Sequence, residues 1–183
     1  MKLPNITILE ENNKLLRKVS ENVTFPLLAS EIKLIKDALL YLKMSQIDES
    51  RDSYDLRAGM GLAFVQLGIL KRIFVICEDL GEGNFKDYII INPKIVSLSE
   101  ELIYVEEGEG CLSINRPVEG IIPRHARITI NAFDEKGNEF QIRVREDLAI
   151  AFQHEIDHLN GILFVDRIDS KDPYKDSDKL RPI

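Results

Sequence analysis

Two histidines spaced four residues apart are the most specific chemical feature of this sequence, which contains three histidines in 183 residues. His154 and His158 lie in the run His154-Glu155-Ile156-Asp157-His158. On a helix this spacing places both imidazoles on one face, one turn apart, where they can chelate a divalent metal ion. Glu155, beside the first histidine, can move a proton to or from a nearby water. The pair predicts a metal-dependent hydrolytic site; the alternative is an exposed helix with two incidental histidines.

The helix that carries these histidines is expected to be buried. One arc of its helical wheel is apolar and consists of Leu148, Phe152, Ile156, Leu159 and Leu163. The arc that carries the histidines also contains Ile150 and Ala151. A helix that is apolar on nearly all sides is buried, and buried imidazole and carboxyl groups need partners. Since a metal ion supplies such partners, this pattern argues against the exposed alternative.

A catalytic metal ion usually needs a third protein ligand, with one position left open. In metzincin proteases a third histidine would fall at position 164, which is Phe164 here. No glutamate follows His158, which argues against a thermolysin-type site, and His125 is expected to lie at the surface. Cys111 remains as the best candidate by elimination. Gly110 allows its backbone to approach closely, and a metal ion would stabilise its thiolate.

Composition places the chain among ordinary soluble proteins. At 183 residues it can bury a core without disulfides, and we expect residues 1–183 to form one domain. A net charge of −7 without a basic cluster argues against a nucleic-acid surface. No apolar run approaches roughly 18 residues, and the start lacks an apolar signal segment. With Cys77 and Cys111 as the only cysteines, a reducing cytoplasm is expected.

Periodicity predicts several strands ahead of the histidine helix, which begins near Glu146 and ends at Asn160-Gly161. The predicted strands cover residues 72–78, 88–97, 102–105, 127–133 and 140–145. Helices are predicted at 12–19 and at 30–44, the second with Ser30 as N-cap. The polar segment 46–57 is expected to be a surface loop, and no structure is predicted for 170–183. The predicted fold class is α+β, with antiparallel sheets around a central buried helix.

A glycine-punctuated apolar stretch, Gly59-Met60-Gly61-Leu62-Ala63-Phe64-Val65-Gln66, precedes the first long strand. A dinucleotide fingerprint would need a third glycine where Phe64 stands, so that interpretation fails. The two glycines serve either tight turn geometry or the close approach of the backbone to a ligand. The sequence alone does not favour one of these explanations.

Taken together, these motifs resemble the peptide deformylases. The resemblance rests on Glu109-Gly110-Cys111-Leu112-Ser113, on the histidine run, and on the glycine stretch, in the order that the family has them. It covers roughly residues 12–168, including Leu16-Arg17-Lys18 and Ile91-Asn92-Pro93. The second alanine of the family's glycine motif is Phe64 here, and its bulk must fit into the core or displace a pocket wall. The segment 46–57 looks like the insertion of the longer class common in Gram-positive bacteria.

The resemblance implies hydrolysis of the N-formyl group from the N-terminal formyl-methionine of new polypeptides, with release of formate. Cys111, His154 and His158 would bind one divalent metal ion, in this family typically Fe²⁺, with Zn²⁺, Ni²⁺ or Co²⁺ able to occupy the site. The ligand types alone would favour zinc. Glu155 would transfer the proton. The oxyanion would be stabilised by the Gln66 side chain and the Leu112 backbone N–H.

The same resemblance implies how a substrate would bind. The backbone at Met60, Gly61 and Gly110 could pair with an extended peptide. Ile150 and Ala151 share the helix face of the ligands and would form walls of a methionine pocket. N-formyl-methionyl nascent peptides are the implied substrates, from which a transient ribosome contact follows. Neither membrane binding nor sequence-specific nucleic-acid binding is expected.

Two further side-chain contacts are expected near the site, and two alternative functions remain open. Glu109 and Arg124 are expected to form an ion pair, although two unrelated surface charges would be an alternative. Asp157 is offset from the metal face and is expected to have a hydrogen-bonding role. One rival function is a deformylase-like paralogue that binds metal or peptide but turns over poorly. The other is a metalloprotease that cleaves peptide bonds.

Overall fold

The computed structural model describes residues 2–183, and its elements confirm the α+β class expected from the sequence. The helices are α1 (Ala29–Gln46), α2 (Asp48–Tyr54) and α3 (Glu146–Leu159). The strands are β1 (Gly61–Ala63), β2 (Ile73–Asp79), β3 (Phe85–Leu98), β4 (Leu102–Tyr104), β5 (Arg124–His125), β6 (Arg127–Phe133), β7 (Glu139–Arg145) and β8 (Arg181–Pro182). Short 3₁₀ segments cover Lys14–Arg17, Phe64–Leu67, Phe164–Arg167 and Ser177–Lys179.

Two sheets form the β part of the fold. The larger sheet has the strand order β1-β2-β3-β6-β7, and all its pairs are antiparallel. The smaller sheet has the order β5-β4-β8, in which β4 pairs antiparallel with β5 and parallel with β8. The expectation of antiparallel sheets is therefore right except for the one parallel pair that β8 adds.

The larger sheet lies between α3 and α1. On one face, Phe152 of α3 packs edge-on against Phe74 and Tyr88, with ring centroids 5.4 and 5.7 Å apart. On the other face, α1 buries its apolar stripe against Val75 and the other alternate residues of β2. Strand side chains alternate between the two faces of a sheet. The continuous apolar run of β2 therefore contributes to the hydrophobic core under α3 and to the one under α1. This arrangement encloses α3 on the sheet side and confirms it as a buried helix.

The expectation of a loop over residues 46–57 was wrong, because Asp48–Tyr54 forms α2. Two acidic residues, Asp48 and Glu49, stand in its first turn, where they suit the positive end of the helix dipole. Arg51 pairs with Asp48 one turn earlier at 2.7 Å. No residue of α2 is buried. Its sequence therefore lacks the apolar periodicity by which a helix is usually predicted.

Other boundaries differ from the expectation in smaller ways. α1 begins at Ala29 with Leu28 as N-cap instead of Ser30, and the Glu31 carboxylate accepts the Leu28 backbone N–H at 2.7 Å. The helix predicted at 12–19 is a single 3₁₀ turn over Lys14–Arg17. In the tail, β8 forms a strand where none was predicted. No helix in residues 2–183 is both long and apolar enough to cross a bilayer.

Candidate active site

α3 carries its polar residues into the interior. Glu155 and His158 are 3% and 1% exposed, and His154 and Asp157 are also buried. Polar groups withdrawn from water in this way need partners inside the protein. The partners come from the irregular segment between β4 and β5, which contains Cys111, and from the start of β5.

Cys111, His154 and His158 converge on one point. Their ligand atoms all lie within 4.8 Å of one another, and the Cys111 Sγ is 3.3 Å from His158 Nε2. Tetrahedral coordination by sulfur and nitrogen implies ligand separations of about 3.5 Å. The donor set and its spacing therefore fit a four-coordinate metal site with one open position. The structure brings together the three residues that the sequence nominated as ligands.

The electrostatics of the histidines suit a cation between them. Glu109 Oε2 lies 2.9 Å from His154 Nδ1, the carboxylate–histidine arrangement common beside bound metals. Burial alone would lower the pKa of His154, but hydrogen bonds to Cys111 and Glu109 raise it to about 10. The groups that favour a proton on His154 would equally favour a metal cation. Burial and the charge of His154 hold the pKa of His158 well below its usual range, which keeps it neutral.

Arg124 links this carboxylate to the interior of the fold. It is 3% exposed and donates two hydrogen bonds to Glu109, at 2.7 and 2.9 Å. Its third bond, of 2.6 Å, goes to Asp157, which also accepts hydrogen bonds from Arg167. Burial raises the pKa of Glu109, but its bonds to His154 and Arg124 outweigh this effect and lower it to about 2. The predicted Glu109–Arg124 ion pair and the hydrogen-bonding role of Asp157 are confirmed.

Glu155 is the only one of these buried carboxyl groups without an arginine partner. Its Oε2 has no hydrogen-bond partner within residues 2–183. Burial raises the pKa of Glu155 to about 7, and the charges of Glu109 and Asp157 act in the same direction against the charge of His154. A carboxyl group with a pKa near neutrality can both accept and return a proton at physiological pH.

The two glycines of the glycine stretch make room for site residues. A Cβ on Gly61 would collide with the Glu155 carboxylate, and a Cβ on Gly59 would lie 2.7 Å from Leu112 Cδ1. Neither glycine has a positive φ. A positive φ therefore does not account for glycine at these positions. The backbone does approach other groups closely, but these groups are side chains of the protein and not a ligand.

Gln66 is held against the cysteine loop, which consists of residues 111–115. The 3₁₀ turn Phe64–Leu67 places it 1% exposed, with its Nε2 3.1 Å from Ser113 Oγ and 3.6 Å from Cys111 Sγ. Its Oε1 accepts the Ala63 backbone N–H at 2.9 Å, which fixes the orientation of the amide. The Nε2 donor therefore points towards the candidate metal centre.

A cavity opens beside the cluster. It is lined by all five residues predicted to contact substrate and by most of the catalytic candidates: Met60, Gly61, Gln66, Gly110, Cys111, Leu112, Ile150, Ala151, His154 and Glu155. His158 lies below the cavity and does not line it. Phe64 is fully buried in the cluster between the sheet and α1, so its bulk enters the core and displaces no pocket wall.

The sequence did not predict a role at the site for three residues that the structure places there. Arg57 contacts the backbone of the cysteine loop, and Ser113 and Arg167 complete hydrogen bonds around it. Arg57 belonged to the segment expected to be a surface loop, and its place just before the glycine stretch is the one signal that could have found it. His125 is half-buried, bonds Ser99 through Nδ1, and takes no part in the cluster.

This arrangement defines a class of protein. A buried helix here presents two histidines and a glutamate to Cys111, and the Cys111, His154 and His158 cluster could hold a metal ion, as is expected of a metal-dependent hydrolase. A family model described as polypeptide deformylase matches residues 6–174. The chain belongs to the peptide deformylase family, which places it among the hydrolases of protein biosynthesis.

Individual relatives agree with this assignment. The chain is 47% identical to the peptide deformylase of Shouchella clausii (strain KSM-K16) over 169 residues, which covers 92% of both chains. It is 44% identical to that of Oceanobacillus iheyensis over 176 residues, which covers 96% of both. Among solved structures, a plant peptide deformylase matches with a TM-score of 0.77 at 26% identity, covering 96% of this chain and 86% of that one. The peptide deformylase from Thermotoga maritima matches with a TM-score of 0.71 at 32% identity, covering 90% and 97%.

Proposed function

We propose that this enzyme hydrolyses the N-formyl group of formyl-methionine at the start of nascent polypeptides and releases formate. Removal of an N-formyl group follows from membership of the family. The observation that carries the finer proposal is the convergence of Cys111, His154 and His158 on one point. Cys111, His154 and the neighbouring Glu155 also line one cavity. Residues 1–183 would act as a single catalytic domain.

Cys111, His154 and His158 would hold one divalent metal ion. We propose Fe²⁺ as the ion, with Zn²⁺, Ni²⁺ and Co²⁺ as alternatives that the same thiolate and imidazole ligands accept. When bound, the ion would act as a Lewis acid and increase the acidity of a water at the open position. Glu109 fixes the orientation of His154 through Nδ1 and so leaves the other ring nitrogen for the ion.

Glu155 would move the proton. It would accept a proton from the attacking water as oxygen bonds to the formyl carbon, and it would deliver that proton to the amine nitrogen as the C–N bond breaks. The products are formate and a free amino terminus. The Gln66 amide and the Leu112 backbone N–H would donate hydrogen bonds to the oxyanion that develops on the formyl oxygen.

The peptide would bind as an added strand. β1 is an edge strand of the larger sheet, so the outer side of its backbone would pair with an extended chain, except at the Ala63 N–H, which already bonds Gln66. Met60 and Gly61 would supply this pairing on one side of the cavity and Gly110 on the other. Ile150 and Ala151 of α3 line the cavity and would contact the methionine side chain. We further propose a cytoplasmic location and a transient ribosome contact, because the substrates are nascent chains.

Formate release tests the proposal most directly. Protein purified without oxygen and loaded with Fe²⁺ is expected to release one formate for each formyl-Met-Ala-Ser consumed, measured with a coupled formate dehydrogenase assay. Absence of formate at one metal per chain would leave the poorly active paralogue as the better description. Cleavage of unformylated Met-Ala-Ser, the matched control peptide, would favour the protease.

Replacement of Cys111 by serine is expected to weaken metal binding before anything else, because a neutral hydroxyl is a far poorer ligand than a thiolate. Loss of a residue that only supports a metal ligand typically lowers metal affinity roughly 10- to 100-fold. Loss of the ligand itself should lower the metal affinity by at least as much. Competition with a chromophoric chelator measures this change. Cys77→Ala is the control, because Cys77 lies in the other hydrophobic cluster and should leave metal affinity unaltered. Equal affinities in the two variants would exclude Cys111 as a ligand.

A further inference from the structure

We propose that Arg57 is a positioning residue that holds the cysteine loop, residues 111–115, in its working conformation. The part that concerns turnover rests on the proposed function; the part that concerns the geometry of the loop does not. Arg57 lies two residues before Gly59 and also lines the cavity.

One guanidinium group spans the loop. Arg57 NH2 donates to the carbonyl oxygens of Cys111 and Ile114, at 2.9 and 2.8 Å. NH1 lies 3.4 Å from the carbonyl oxygen of Leu112 and also donates to the Asn115 side chain. Hydrogen bonds from a charged donor are roughly twice as strong as neutral ones, and the planar guanidinium fixes their directions. The contacts therefore constrain the Cys111–Leu112 peptide unit, which carries the proposed oxyanion donor, and the peptide unit that follows it.

The loop needs such support because no strand provides it. β4 ends at Tyr104 and β5 begins at Arg124, so the cysteine loop lies within an irregular segment. Its own backbone supplies one turn bond, from the Ile114 N–H to the Cys111 carbonyl at 3.1 Å. Loop backbone held by few internal bonds is the part of a fold that moves most easily. External hydrogen bonds from Arg57 would restrict that motion at the ligand and at its neighbour.

The base of Arg57 is itself anchored. Ser45, at the end of α1, accepts the Gly59 backbone N–H at 3.2 Å, and Gln46 donates to the Gly59 carbonyl at 3.0 Å. Gln46 also donates to the Cys77 carbonyl on β2 at 2.9 Å. The chain that leads from α2 into β1 is thus fixed to the sheet, and Arg57 transmits that position to the cysteine loop. Residues 57–59 therefore fix the distance between the sheet on one side of the cavity and the cysteine loop on the other.

The alternative is that Arg57 is an exposed arginine whose contacts with the loop affect neither the conformation of the loop nor turnover. Arg116 provides the matched control, because it is an exposed arginine immediately after the same loop. It donates two hydrogen bonds to Glu11, at 2.9 and 2.7 Å, and none to the carbonyls that Arg57 contacts. The two arginines differ in what they hold, so a general effect of removing a surface charge will appear in both.

The experiment compares Arg57→Ala, Arg57→Lys and Arg116→Ala with the wild type. For Arg57→Ala we expect kcat to fall roughly 10- to 100-fold, less than for removal of an oxyanion donor itself. Arg57→Lys should lie between, because lysine keeps the charge but loses the fork. Methylguanidinium in solution should restore part of the turnover of Arg57→Ala. Arg116→Ala should remain within about twofold of the wild type, since a surface ion pair contributes little.

A second readout does not depend on turnover. In the Co²⁺-loaded protein, the thiolate-to-metal charge-transfer band should shift in Arg57→Ala and remain unchanged in Arg116→Ala. The thermal midpoint of Arg57→Ala should stay within about 4 °C of the wild type, a small shift for a chain of this size. These measurements separate a displaced loop from a destabilised fold.

Three results would overturn the proposal. The first is that Arg57→Ala matches Arg116→Ala in kcat, KM and Co²⁺ spectrum. The second is full activity in Arg57→Lys, which would mean that the fork is not used. The third is a fall in kcat that follows a large loss of thermal stability and that methylguanidinium does not reverse. If the wild type itself releases no formate, the proposed function fails, while the Co²⁺ spectra still decide whether Arg57 positions the loop.

Discussion

Replacing Glu155 by glutamine is expected to lower the turnover number roughly 1000-fold, within the range of about 10²- to 10⁴-fold that general acid–base catalysis contributes. Glutamine has nearly the same shape but cannot carry the proton from water to the leaving amine. Metal content should remain near that of the wild type, because Glu155 is not a ligand in the Cys111, His154, His158 cluster. Steady-state formate release and metal analysis of the same preparation test both statements.

The stability of Glu155→Gln gives an independent check. One oxygen of Glu155 is buried without a hydrogen-bond partner among residues 2–183, which is unfavourable for a charged group. The Glu155→Gln variant should therefore have an unfolding midpoint at a denaturant concentration no lower than that of the wild type. Glu146→Gln makes the same chemical change at the start of the same helix, where the carboxylate forms a surface pair with Arg181. It should leave turnover within about twofold. Loss of metal from Glu155→Gln would contradict the assigned role and make the residue structural.

Replacing Arg124 by alanine is expected to destabilise the fold by about 3 to 5 kcal/mol, the range observed when one partner of a buried ion pair is removed. Arg124 is 3% exposed and is shared between Glu109 and Asp157, whose side chains are 5% and 6% exposed. Without it, two carboxylates remain in the interior, and Glu109 keeps only its contact with His154. Equilibrium unfolding in urea measures the loss.

Arg127→Ala is the matched control for this change. Arg127 lies at the start of the neighbouring strand and pairs with Glu101 at 2.8 Å, with both side chains more than one third exposed. Such a pair contributes at most about 1 kcal/mol. If Arg124→Ala costs no more than Arg127→Ala, the buried network does not stabilise the fold. The double variant Arg124→Ala with Glu109→Gln should recover part of the loss, since it also removes the Glu109 carboxylate, which loses both of its arginine bonds in the single variant.

The central helix and its two candidate ligands were predictable because their signals are local. The apolar spacing along α3 and the four-residue spacing of the histidines depend only on helical geometry. Cys111 followed by elimination, since few other residues could complete the ligand set. The long strands were predicted within a few residues because their apolar content marks burial. These features are encoded by neighbours in sequence.

The features that were missed depend on contacts between distant segments. α2 buries no residue, so its formation leaves no apolar pattern, and β8 exists only through pairing with β4. The reason for glycine at position 61 is the carboxylate of Glu155, which lies far along the chain. The core position of Phe64 depends on the 3₁₀ turn that begins there and interrupts strand alternation. None of these arrangements can be inferred before the tertiary structure is known.

The position of Cys111 relative to the histidines has a consequence for thermodynamic linkage. β5, β6 and β7 lie between the cysteine and α3 in sequence, so tertiary structure is needed to bring the three candidate ligand atoms together. An unfolded chain retains only the local histidine pair, which binds metal more weakly than the full set. Metal binding would therefore shift the folding equilibrium, by about 2.7 kcal/mol at a free concentration 100 times the dissociation constant. The metal supply of the cell would then change the stability of this enzyme as well as its activity.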